Sequence, residues 1–235
     1  MALPPEETGE TFLREVEENL RRDQAADFAK KYGKWLIGGL ILFLAAIGGW
    51  FYWYEVQQQK AAEETETLGR IYHDIGEGKI AAAPGQLDAA AESNHAAIRA
   101  SALFTRAVVA LQQNDRPTAI ARLAEIAADD DLPEPYRDLA NIRQTSLEFD
   151  TIKPEQVIAR MQPLAKAGSP WFGSAGELTA MALLKQGRKA EAGKLFAAIA
   201  ADQGVPSTIR SRAVQIAGTL GVDASASMPA IEQGR

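Results

Sequence analysis

Asp129-Asp130-Asp131 is the densest group of potential metal ligands in this 235-residue chain. A calcium loop spaces its ligands at alternate positions, with a central glycine and a closing bidentate glutamate. Here Leu132-Pro133 follows instead, which suits a solvated connection between two helices. Glu63, Glu64 and Glu66 supply carboxylates, but their spacing reads as a wet helix face rather than an acid/base pair. His73 and His95 are the only histidines, and cysteine is absent, which removes thiolate, zinc-finger and disulfide chemistry. No phosphate loop, dinucleotide fingerprint, zinc-protease helix or nucleophile elbow occurs. We therefore expect no catalytic, cofactor-binding or metal-binding residue and no small-molecule substrate. A net charge of −6 argues against a nucleic-acid partner.

The elements around these residues are helical. Alanine supplies 43 positions, while β-branched and aromatic residues are sparse. From Trp35 to Tyr54 the chain reads WLIGGLILFLAAIGGWFYWY, without a charge. Twenty residues at about 1.5 Å each match a hydrocarbon core about 30 Å thick. Trp35 at one end and Trp50, Trp53 and Tyr54 at the other are placed as interfacial anchors in a lipid bilayer. A signal peptide has a shorter apolar core near the N-terminus and a small-residue cleavage site. This span begins after 34 residues and is followed by Glu55-Val56-Gln57, so we expect a retained anchor. Gly38, Ala45 and Gly49 lie seven and four residues apart, a stripe suited to close packing with another membrane helix. Arg21, Arg22, Lys30, Lys31 and Lys34 precede the span, whereas only Lys60 and Arg70 stand in the twenty residues after it. That asymmetry predicts a cytoplasmic N-terminus and, in a Gram-negative bacterium, a periplasmic C-terminal domain on the inner membrane.

The expected organisation has five parts. Residues 1–34 form an N-terminal segment, unfolded at first and then amphipathic over 10–32 through Phe12, Leu13, Val16, Leu20 and Phe28. Residues 35–54 span the membrane. Residues 55–80 form a helical stalk, with Gly76 and Gly78 as a hinge. Residues 81–221 form a soluble domain, and 222–235 a disordered tail. The domain repeats itself at an offset of 73: Leu111, Gln113 and Ala119 meet Leu184, Gln186 and Ala192, and Ile126–Asp129 meets Ile199–Asp202. Pro133, Arg137 and Ala140 meet Pro206, Arg210 and Ala213. Such an offset equals two units of about 34 residues plus an insertion, the arithmetic of a helix-turn-helix solenoid. Gly187 and, in the earlier copy, Asn114 stand where a left-handed residue ends a helix. Helices are predicted over 85–93, 96–113, 117–129, 134–148, 154–166, 171–186, 189–203 and 206–220. The fold class is all-α: one transmembrane helix with a stalk, then a tetratricopeptide-like α-solenoid of helical hairpins. Phe104, Tyr136, Trp171 and Phe172 are the candidate anchors of a protein-binding surface.

The segment FLREVEENLRRDQAADFAKKYGKWL leading into a glycine- and aromatic-rich span, then YWYEVQQQKAAEE and the repeats, resembles the YfgM-like family. Members of that family are ancillary subunits of the SecYEG secretion translocon with a tetratricopeptide-repeat-like periplasmic domain. The resemblance implies a membrane-anchored scaffold whose partners are the translocon and periplasmic chaperones. An accessory or assembly subunit of another inner-membrane complex, held through its span, is the second reading.

Overall fold

The computed structural model describes the backbone of residues 5–228 and the side chains of residues 30–35 and 37–228. Among these residues every regular element is helical: α1 (Pro5–Gly76), α2 (Ala83–Ala90), α3 (Ala96–Gln112), α4 (Arg116–Ala128), α5 (Glu134–Glu148), α6 (Pro154–Met161), α7 (Phe172–Lys185), α8 (Lys189–Ala201) and α9 (Ser207–Thr219), with a 3-10 turn at Ser225–Ser227. The chain divides into two compact units, Met1–Ala62 and Glu63–Arg235.

In the first unit, α1 starts at Pro5, whose fixed φ suits a first helical turn, and no proline interrupts it before Pro84. Residues 5–10, expected to be unfolded, are therefore helical. The amphipathic positions from Phe12 to Phe28 lie outside the described side chains. Across the apolar segment every described large side chain is exposed, Trp35 by 82%.

The second unit stacks helical hairpins, and it begins earlier than the sequence suggested. Leu68 and Ile71, near the end of α1, are buried against Ala83 and Leu87 of α2 and Ile98, Ala102 and Val109 of α3. Ser93 Oγ donates to Glu64 at 2.5 Å, and Thr105 Oγ1 donates to the Tyr72 hydroxyl at 3.3 Å. Residues 63–76 are thus the first helix of the solenoid, with α2 as its partner. They are not a free stalk, and Gly76/Gly78 make a hairpin turn rather than a hinge.

That turn repeats. Gly78, Asn114, Gly187 and Gly221 take left-handed φ values of 83°, 61°, 77° and 81°. After each, the next N–H reaches a carbonyl five residues back: Lys79 to Asp74 at 2.9 Å, Asp115 to Ala110 at 2.8 Å, Arg188 to Leu183 at 2.9 Å and Val222 to Ala217 at 2.9 Å. This closure satisfies carbonyls that the helix end would leave open. The end of α5 lacks such a residue; at the repeat offset Glu148 stands where Gly221 does. Side chains close that end instead. Arg116 donates to the Leu147 carbonyl, and Lys185 Nζ donates to the Phe149 carbonyl at 3.0 Å and to Asp150 at 2.8 Å. The following helix α6 is shorter than expected, and Val157 and Met161 bury with Ala175 and Ala182 of α7.

The last unit is closed by the chain after Gly221. Val222 packs so tightly over Gly193 that a Cβ there would meet its Cγ2 at 2.8 Å. Ala224 is buried, and Arg210 donates to the carbonyls of Ala200 (3.0 Å) and Ser227 (3.4 Å). The segment 222–228, expected to be disordered, is therefore held against the last unit through Val222, Ala224 and Ser227; 229–235 lie outside the described residues.

The left-handed turn residues predict a simple substitution pattern. Asn114→Gly should leave the thermal midpoint unchanged or raise it, whereas Asn114→Val should cost about 1–2 kcal/mol in equilibrium unfolding.

Candidate protein-interaction face

One helix of each hairpin after the first contributes to a common face: α3, α5, α7 and α9. Two pockets open on it. The first, about 300 Å³, lies between α3 and α5 and is lined by Phe104, Val108, Leu111, Leu123, Arg143 and Leu147, with Ser146 at its edge. The second, about 500 Å³, lies among α5, α7 and α9 and is lined by Ile142, Phe149, Leu178, Met181 and Ile216. Ser146 of α5 borders both, so the two form one interrupted apolar groove. Val108, Leu111 and Met181 remain 45%, 40% and 39% exposed in it. Leaving large apolar side chains wet costs solvation free energy, which makes this patch the candidate interaction surface.

The structure sorts the four aromatic candidates differently. Phe104 lies in the first pocket, beneath the Arg143 guanidinium at 5.3 Å from its ring centre. Tyr136 is half-buried against the α3–α4–α5 core, and Trp171 against the α5–α6–α7 core. Phe172 is 3% exposed and fills the last core, so it is unavailable to a partner. Burial, then the neighbouring charge of Glu134, push the Asp138 carboxyl up, against a hydrogen bond from Trp171; Trp171 serves that contact within the fold. The groove residues that sequence reasoning missed are Val108, Leu111, Met181 and Arg143. Leu111 was already visible as the repeat partner of Leu184, but an apolar repeat position reads as core until a structure shows its exposure.

Polar groups on the face are largely self-paired. Glu177 accepts two hydrogen bonds from Arg212, at 2.5 and 2.7 Å. A hydrogen bond from Lys185 and its charge hold the Asp150 carboxyl below the usual range.

The aspartate run is structural. Asp129 Oδ2 accepts from Arg99 Nε at 2.9 Å, and its other oxygen accepts from the Asp131 N–H at 2.9 Å. Its repeat partner Asp202 likewise accepts from the N–H two residues on, in Gly204, at 2.8 Å, and from the Gly168 N–H at 3.1 Å. Both aspartates end a helix: Asp129 ties α4 back to Arg99 of α3, and Asp202 ties α8 to the loop that leads into α7. His73 lies 3.4 Å from Glu77 at the surface, and the His95 N–H donates to Ser93. Among the described residues no cluster of three metal-ligating side chains forms.

The span residues lie in the other unit. Cβ atoms added at Gly38 and Gly49 would meet nothing, and Ala45 is exposed. Trp35, Trp50, Trp53 and Tyr54 are exposed, with the Trp50 and Trp53 rings 5.9 Å apart. Among the described residues this is one helix long and apolar enough to cross a membrane, and none of its apolar window is buried.

Stacked hairpins with an exposed apolar groove on one face are a protein-interaction fold. The family model for the tetratricopeptide repeat-like domain matches residues 26–217, and the chain belongs to that family. No curated protein and no solved structure matches the chain. The match begins before the apolar segment, so the segment and the repeats belong to one family architecture.

Burial raises the Asp129 carboxyl, but the Arg99 hydrogen bond, the Asp131 and Leu132 N–H groups and the Arg99 charge together outweigh it and hold it below the ordinary value. A depressed native value stabilises the fold above the unfolded carboxyl's pKa, and that stability is lost as pH falls through the native value. Asp129→Asn should therefore lower the thermal midpoint at neutral pH. Its difference from wild type should shrink as the pH drops through the carboxylate range.

Proposed function

We propose that this chain is a bitopic inner-membrane scaffold with its N-terminus in the cytoplasm and its repeats in the periplasm. Its groove holds protein partners beside the secretion translocon, in company with periplasmic chaperones. The observation that carries the reading is the pairing of an entirely uncovered apolar helix with a repeat domain whose apolar groove is likewise uncovered. A lipid bilayer accounts for the first and a polypeptide for the second. The five-to-two distribution of Lys and Arg supports the orientation. The resemblance in residues 12–36 and 52–64 supports the translocon.

An accessory subunit bound through the span is the second reading, favoured by the open faces at Gly38 and Gly49. One experiment separates them: crosslinking in native membranes, followed by purification of the full chain. Translocon and chaperone components recovered through the repeats support the scaffold. Recovery of another complex that is lost in Ala45→Leu/Gly49→Leu, but retained in Leu40→Ala/Leu44→Ala, supports the accessory subunit. Protease added outside the inner membrane should digest the repeats; their protection reverses the orientation.

A further inference from the structure

The groove carries one charge that the fold does not neutralise. Of the charged side chains lining the second pocket, Glu177 is paired with Arg212 and Asp150 with Lys185. The first pocket has a single charged lining residue, Arg143 on α5. Its guanidinium lies over the Phe104 ring, 5.3 Å from the ring centre, and forms no ion pair among the described residues, and the residue is exposed. A cation–π contact of this kind holds the guanidinium over the ring face while leaving its N–H groups free to donate to a carboxylate. Arg143 also stands one helical turn before Ser146, the residue shared by the two pockets.

From that juxtaposition we infer that the groove selects a polypeptide segment with two apolar side chains flanking a carboxylate. One apolar side chain fills the pocket between α3 and α5, the other the pocket among α5, α7 and α9, and the carboxylate pairs with Arg143. The chemistry disfavours a basic amphipathic segment, whose cation would meet an unpaired guanidinium on a surface with no free carboxylate beside it. This inference rests on the groove being the partner-binding face, as proposed above.

The test uses the full chain in lipid nanodiscs and three fluorescein-labelled peptides with the cores Leu-Ala-Asp-Ala-Leu, Leu-Ala-Asn-Ala-Leu and Leu-Ala-Lys-Ala-Leu, read by anisotropy. The aspartate peptide should bind about tenfold tighter than the asparagine peptide, and the lysine peptide weakest. Arg143→Gln should abolish the difference between the aspartate and asparagine peptides without changing the asparagine peptide's affinity. Arg143→Lys should restore part of it. Circular dichroism and the thermal midpoint report whether each variant is folded, and the peptide series on the unaltered chain stands whatever they show. Equal binding of all three peptides, or tighter binding of the lysine peptide, overturns the inference and leaves the groove as a binding face. No binding by any of them overturns both.

Discussion

A helical hairpin buries only the seam between its own two helices; its outer faces stay wet until another hairpin covers them. Every part of the second unit follows from meeting that requirement with small side chains. Ala100, Ala107, Ala110, Ala119 and Ala140 surround Leu103, Leu123 and Ile126 in one core, and Ala180, Ala192, Ala200, Ala213 and Ala217 surround Phe196 and Ile199 in another. Alanine at the crossings lets backbones approach, and a few large residues fill what remains. Gly173 and Gly176 take the same economy to its limit, because a Cβ at either would meet Val205 or Ile199 at 3.0 Å or less. The first seam obeys the rule too, and it draws its helix from the end of α1 rather than from a separate element.

The central hairpin shows what happens when a local stop signal is missing. Four helices of the array end on a left-handed residue and need no help from elsewhere. The helix α5 ends on Glu148, so its terminal carbonyls are satisfied by Arg116 from α4 and Lys185 from α7, and Glu148 itself pairs with Arg160 of α6. Three neighbouring helices thus fix an end that backbone geometry fixes elsewhere. The same arrangement places Phe149 and Asp150 at the rim of the larger pocket, so the irregularity of the repeat shapes the groove.

Much of the fold was legible because its signals are local. Asn114 and Gly187 announced helix ends through their tolerance of positive φ, and the offset of 73 announced stacked copies. The expected helices from α3 to α9 lie close to those observed, apart from α6. The errors share a cause: a sequence shows that a helix continues, not what it packs against. Leu68 and Ile71 look like ordinary positions in a long polar helix, and only their burial beneath α2 and α3 makes them part of the repeats. Val222 and Ala224 follow a helix-ending glycine in a run of small residues, a composition that reads as a tail until Gly193 opens a place for it. Of the groove, Phe104 was recognised by type, whereas Phe172 has the same type and lies in the core. Exposure, unlike helicity, is set by partners distant in sequence.

Formation of the first hairpin by the end of α1 decides where the repeat domain starts. Unfolding of the full chain in detergent micelles, with and without Ile71→Ala, tests this directly. Ile71 is 3% exposed, so its truncation should lower the stability of the repeat unit by about 2–4 kcal/mol. A loss of no more than about 0.5 kcal/mol, the cost of trimming an exposed side chain, would return residues 63–76 to a stalk and contradict the account.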